Sequence, residues 1–147
     1  MLGARCFVPI LAFAVAALRA SPAAAQGEGF IVIVNQTNPV TSLSRQQVAD
    51  MFMKQMRVWG QGGDVHPVDL PAVSPVRDAF SRAVHGKPAS AVASWWGQQM
   101  FSGRAVPPPQ RSTDRAVNNF VREDGLAIGY VSPGAAEAGV KVIRITP

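Results

Sequence analysis

The stretch Asp69-Leu70-Pro71-Ala72-Val73-Ser74-Pro75-Val76-Arg77 holds the most suggestive chemistry of this 147-residue chain. A strand ends in it and a helix begins, because Ser74-Pro75 joins a capping hydroxyl to a proline at the first helical position. The free N–H groups of a helix start and its dipole attract an oxyanion. Ser74 could donate its hydroxyl, the backbone at Val76 its N–H, and Arg77 a two-pronged contact. Asp69 could accept from a protonated oxyanion or orient Arg77. A purely structural reading of the same residues stands beside this one: Ser74 caps its own helix, and Arg77 pairs with Asp69 or Asp78.

Other constellations are weaker. His66, Asp69 and Ser74 can be drawn as a hydrolytic triad, but no G-x-S-x-G elbow surrounds the serine. Positions 66 and 69 of one strand also face opposite ways. His85 stands in the last turn of a helix, where the C-terminal dipole suits an imidazole. Neither an H-E-x-x-H spacing nor a phosphate-cradling G-x-x-x-x-G-K-S/T loop occurs. The chain therefore reads as neither an enzyme nor a metal or cofactor protein.

The elements that position the turn follow from pattern. Gly29 to Val34 is an unbroken apolar run rich in β-branched residues, expected as a strand buried on both faces in a parallel sheet. Asn35 to Ser42 reads as a loop. Ser44 and Gln47 form a capping box, with Leu43 and Val48 as a hydrophobic staple. Val48, Met51, Phe52, Met56 and Trp59 then share one helical stripe that stops at Gly60. Val65 to Leu70 reads as a second strand, with Pro67 marking a sheet edge. In the following helix Val76, Ala79, Phe80, Ala83 and Val84 point inward. Arg77 then lies toward solvent, where its loss costs under about 1 kcal/mol.

A third helix is expected from about Ser90 to Ser102, with Trp95 and Trp96 packing on the sheet. Pro107-Pro108-Pro109 forces an extended loop. A fourth helix starts near Ser112 or Thr113 and ends by Gly125. Leu126 to Val131 is a strand, Pro133 to Ala138 one helical turn, and Val140 to Ile145 a last strand. This order favours an α/β sandwich with a largely parallel or mixed sheet.

Residues 1–25 read as a secretory signal peptide. Arg5 precedes an apolar run from Cys6 to Leu18, and Ala23-Ala24-Ala25 closes it with a small-residue cleavage site. The run is too short for a permanent span. Removal leaves residues 26–147 as a single domain. Without Arg5 and Arg19 the charge excess falls from +5 to +3, and the only cysteine is lost. A periplasmic or secreted protein with this mild excess suits a small anionic ligand. Its charges are too scattered for nucleic acid.

Three segments resemble phosphate-binding periplasmic proteins of ABC transporters. Ser42-Leu43-Ser44-Arg45-Gln46-Gln47-Val48-Ala49-Asp50-Met51-Phe52 followed by Trp59 is similar to their capped helix and tryptophan turn. Val68-Asp69-Leu70 through Ser74-Pro75-Val76-Arg77-Asp78-Ala79-Phe80 resembles the next strand, the anion-binding turn and the helix behind it. Gly125-Leu126-Ala127-Ile128-Gly129-Tyr130-Val131 resembles their "GAIGYV" strand. The matches keep their order and span most of the chain after residue 25. The resemblance implies one lobe of a type II periplasmic-binding-protein fold, a mixed, mostly parallel sheet flanked by helices. It also implies non-enzymatic binding of phosphate or a similar oxyanion, with Ser74, Val76, Arg77 and Asp69 as candidate contacts. The partner would be an ABC permease or another protein chain. Pro75 stands where the phosphate binders carry a glycine, and it offers no N–H. A lobe reused for protein interaction, without a small ligand, is the alternative.

The signal-peptide reading has a direct check. Intact-mass measurement of the exported protein should find Gln26, or its cyclised form, as the first residue. A full-length, membrane-embedded product would contradict it.

Overall fold

Five strands form one sheet in the order β2-β5-β1-β4-β3. The structure is a computed structural model that describes residues 29–147, so the signal-peptide reading of residues 1–25 lies outside the described residues. The central strand β1 (Ile31–Asn35) comes from the unbroken apolar run. Its neighbours are β4 (Ala127–Val131) and β5 (Val140–Thr146). Both pair with it antiparallel, Ile33 standing opposite Gly129 on one side and Val142 on the other. At the edges, β2 (Ser42–Ser44) runs parallel to β5, and β3 (His66–Pro67) parallel to β4.

The sheet is therefore mixed, with four strands running one way and β1 against them. The apolar run of β1 marks burial on both faces rather than parallel neighbours. It is helices covering both sides of a sheet that make a strand apolar throughout. The strand β2 falls in a segment that reads as the end of a loop, because three residues are too few to show alternation.

Helix α1 (Arg45–Phe52) starts at the expected capping box. The Gln47 N–H donates to Ser44 Oγ at 3.1 Å, and the Ser44 N–H donates to Gln47 Oε1 at 2.9 Å. The helix stops well before Gly60, because Lys54 adopts a left-handed backbone at φ 57°. Trp59 is thus a loop residue, not a helical one. It is buried all the same, and its indole N–H donates to the Leu126 carbonyl at 2.9 Å.

Helices α2 (Pro75–His85), α3 (Ala89–Phe101) and α4 (Asp114–Glu123) complete the fold. Ser74 caps α2 with Pro75 at its start, and Gly86 closes it in the left-handed conformation that glycine takes without a Cβ clash. Adjacent residues of β4 show the layering, since they face opposite sides of the sheet. At Gly129 a Cβ would come within 2.8 Å of Val117 and 2.9 Å of Val68, so α4 closes on the sheet only because this residue is glycine. At Tyr130 the phenol ring stacks on Phe80 of α2 with centroids 3.9 Å apart, and Phe52 of α1 lies 5.6 Å away. Helix α4 thus covers one face, and α1 and α2 the other.

Helix α3 packs on α2 rather than on the sheet. Trp96 is buried there outside the main core cluster, and Trp95 is partly exposed, so the expected packing of both on the sheet is corrected. The segment after Ser132 forms turns and no helical turn. Among the described residues, no helix is long and apolar enough to cross a membrane.

His85 lies edge-on to Phe80, with centroids 5.6 Å apart. Burial, then the nearby cations Arg77 and Lys87, bring its pKa down to about 4. The imidazole is neutral in the fold despite its place at a helix C-terminus. An unfolded chain takes up this proton near pH 6.5, so the contribution of neutral His85 is lost as pH falls from about 6.5 toward 4. Denaturant melts should show His85→Gln losing less stability than the parent between pH 7 and pH 4, by on the order of 2 kcal/mol. Parallel pH curves would contradict this.

Candidate functional site

The turn between β3 and α2 is built on a buried ion pair. Arg77 is 2 % exposed and Asp69 6 %. Arg77 Nη2 stands 3.3 Å from Asp69 Oδ2, and Nη1 donates to the Leu70 carbonyl at 2.8 Å. The other carboxylate oxygen, Oδ1, accepts from the Tyr130 hydroxyl and from the Leu70 N–H at 3.2 Å. The Leu70 N–H also reaches the Tyr130 oxygen at 3.3 Å. Asp69, Arg77, Tyr130 and the Leu70 backbone therefore satisfy one another inside the protein.

This corrects the expected position of Arg77 near solvent. The buried face of α2 is Arg77, Phe80, Ser81 and Val84, an i, i+3, i+4, i+7 stripe with a guanidinium at its first position. Removing one member of such a pair leaves a buried charge uncompensated, at a cost of about 3–5 kcal/mol rather than under 1. Phe80 is buried as expected. Asp78 pairs instead with Arg82 at 2.7 Å on the surface, which holds its carboxyl below the usual range.

Burial raises the Asp69 pKa, and the opposing pull of Arg77, Tyr130 and the Leu70 N–H only partly offsets it. Burial, and then the neighbouring Asp69, likewise push the Tyr130 hydroxyl upward. The proline-rich loop fixes the same point from outside. The Asp69 N–H donates to the Pro109 carbonyl at 2.9 Å, and the Arg111 N–H to the Asp69 carbonyl at 2.9 Å. The loop thereby covers part of an otherwise open sheet edge. Asp69 thus bridges to this loop rather than to β4, and the ladder of β3 is shorter than Val65 to Leu70 predicts.

The mouth of the turn is open. Val73 at its tip is 92 % exposed, and Ser74 and Val76 are partly exposed. Ser74 Oγ accepts from the Arg77 N–H at 3.4 Å, and the Ser74 carbonyl accepts from the Asp78 N–H at 3.0 Å. Pro75 has no N–H. Val76 stands in the first turn, where backbone N–H groups have no acceptor within their own helix, and the Ser74 hydroxyl keeps a proton to donate. The structure thus places Ser74 and Val76 at the mouth and Asp69 and Arg77 beneath it.

No hydrolytic triad forms. His66 Nδ1 lies 2.6 Å from Asp124, while Asp69 is held by Arg77 and Tyr130. Among the described residues no three His, Cys, Asp or Glu side chains are grouped as a metal site. Sequence reasoning missed the role of Tyr130. Its signal was a lone phenol hydroxyl in an otherwise apolar strand, which needs a buried partner.

No family model matches the chain, and no curated protein matches it. Solved structures do. The chain is similar to an ABC-type phosphate transport receptor from Vibrio cholerae, with 22 % identity and a TM-score of 0.58 over 80 % of this chain and 46 % of that one. It is also similar to a putative phosphate ABC transporter substrate-binding protein with bound phosphate from Clostridium perfringens, with 23 % identity, a TM-score of 0.64, and coverage of 80 % and 45 %. A possible phosphate binding protein from Planctomyces limnophilus matches at 14 % identity and a TM-score of 0.59, over 81 % and 42 %. The chain spans less than half the length of these proteins. It has the fold of one lobe of a phosphate-binding substrate-binding protein.

Proposed function

We propose that this chain is an exported, non-enzymatic, substrate-binding-like protein that takes a small oxyanion, phosphate or a similar one, at the mouth of the Asp69–Arg77 turn. The observation that carries the reading is a helix start with partly exposed Ser74 and Val76, in a fold shared with phosphate transport receptors, and the Val76 N–H and the Ser74 hydroxyl are the donors it would offer. Asp69 and Arg77 act from beneath by holding the turn in shape. The periplasm or the extracellular space is its place of work. A permease of the ABC type, or another protein chain, is its partner.

Binding at this mouth is weak. Pro75 removes one donor, Asp69 neutralises the Arg77 charge, and water screens an open site. A dissociation constant near 1 mM, about −4 kcal/mol, is expected. One observation favours a protein-interaction module instead: the turn presents a highly exposed Val73 at its tip while its charges are paired with each other.

Titration with phosphate and with sulfate at low ionic strength, followed by backbone NMR, separates the two readings. Saturable shifts at residues 74–78, weakened by Ser74→Ala and strengthened by Pro75→Gly, are the expected result. The absence of a saturable shift there would overturn oxyanion binding and leave the interaction module.

A further inference from the structure

A cavity of about 570 Å³ lies away from this turn, between the end of α1, the start of β3 and the loop after α3. Its volume is in the range of small-molecule sites. Lys54, Arg57 and Arg104 line it together with Asp64, His66 and Val106. Three cations thus face one carboxylate and a histidine already held by Asp124. Among the described residues, none of the three cations is within ion-pair distance of an acid. The Arg57 Nε–H donates to the Lys54 carbonyl at 2.9 Å, which holds the guanidinium back against the turn that carries Lys54.

Three like charges facing a single carboxylate leave an excess that repels, and an anion entering the cavity relieves that repulsion. The backbone adds a second, independent observation. Lys54 has a positive φ of 57°, unlike every other described non-glycine residue. At this position, just past a helix end, glycine is the residue without steric strain. The chain carries a lysine there instead, and that lysine lines the cavity. Burial, followed by the charge of Arg57, lowers the Lys54 pKa, as expected for a cation awaiting a counter-ion.

We infer that the cavity lined by Lys54, Arg57 and Arg104 is a binding site for a small anion carrying two or more negative charges. Phosphate and carboxylate groups share this chemistry. The apolar walls at Met51, Met56 and Val106 accommodate a short carbon skeleton between such groups. The site is separate from the turn at the start of α2 and does not depend on oxyanion binding there.

The test is an NMR titration at constant ionic strength with inorganic pyrophosphate, citrate and, as a singly charged control, acetate. Pyrophosphate and citrate separate phosphate from carboxylate preference. The expected result is a saturable shift of amides 54–57, 64–66 and 104–106 by at least one of the two, and none by acetate. Lys54→Gly should weaken that binding about tenfold, as the loss of one charge-assisted contact does. This variant relieves the backbone, so its melting temperature should not fall. Arg104→Ala, on an exposed side chain, should weaken binding comparably, while Ser74→Ala should leave it unchanged. The inference is overturned if neither polyanion gives a saturable shift, if the shifts fall only at residues 73–78, or if Lys54→Gly and Arg104→Ala bind like the parent. Failure at residues 74–78 with success at 54–57 would overturn the turn reading alone.

Discussion

A carboxylate and a guanidinium are buried together at the point where the edge strand becomes a helix, and the arrangement of α2 depends on them. Moving two charges out of water costs several kcal/mol each, and their attraction offsets this only when the remaining donors and acceptors are also satisfied. Here they are. Asp69 takes the Tyr130 hydroxyl and the Leu70 N–H, and Arg77 takes the Leu70 carbonyl. The network therefore joins three elements at one place: the end of the edge strand, the first turn of α2, and β4. The ring of Tyr130 continues the connection by stacking on Phe80, which also touches Phe30 and Phe52. Polar satisfaction at the turn and aromatic packing below it are two ends of one structure.

That arrangement limits what the turn can do as a binding site. A free arginine in the first turn of a helix would dominate anion recognition. Arg77 is instead held by a carboxylate and a carbonyl, so the pair presents little net field to solvent. What the helix start can still offer is a hydroxyl and a first-turn N–H, with no N–H at Pro75. The cavity beside Lys54 has the opposite character, with excess positive charge and no paired acid. The two places lie at opposite ends of the His66–Asp69 segment, with a neutralised turn at one end and a cavity of excess positive charge at the other.

Much of the fold is legible in local chemistry. The capping box of Ser44 and Gln47, the Ser74-Pro75 start and the edge mark of Pro67 involve residues within four positions of one another, and each forms as its pattern suggests. Longer-range features are not legible in this way. Trp59 continues the helical period of α1, yet Lys54 breaks the helix first, and period alone cannot foresee a left-handed lysine. The antiparallel course of β1 follows from which strands flank it, and an apolar run carries no direction. Arg77 is the instructive case. Its spacing to Phe80, Ser81 and Val84 is that of a buried stripe, but a charged residue reads as a surface residue until its partner is known. That partner is eight positions back across a turn, and the hydroxyl completing the pair comes from Tyr130, far along the chain in β4.

The dependence of the turn on this buried pair is tested most directly by a double-mutant cycle on Asp69→Asn and Arg77→Met, with stability measured by denaturant unfolding. The asparagine keeps the shape of the carboxylate, and the methionine fills the space of the guanidinium stem without charge. If the pair organises the turn, each single variant leaves one buried charge unpaired. The double variant should then be more stable than the sum of the two losses predicts, with a coupling of about 2 kcal/mol or more. Losses that add to within about 0.5 kcal/mol would show that Asp69 and Arg77 act independently, and would contradict the central place given to their pairing.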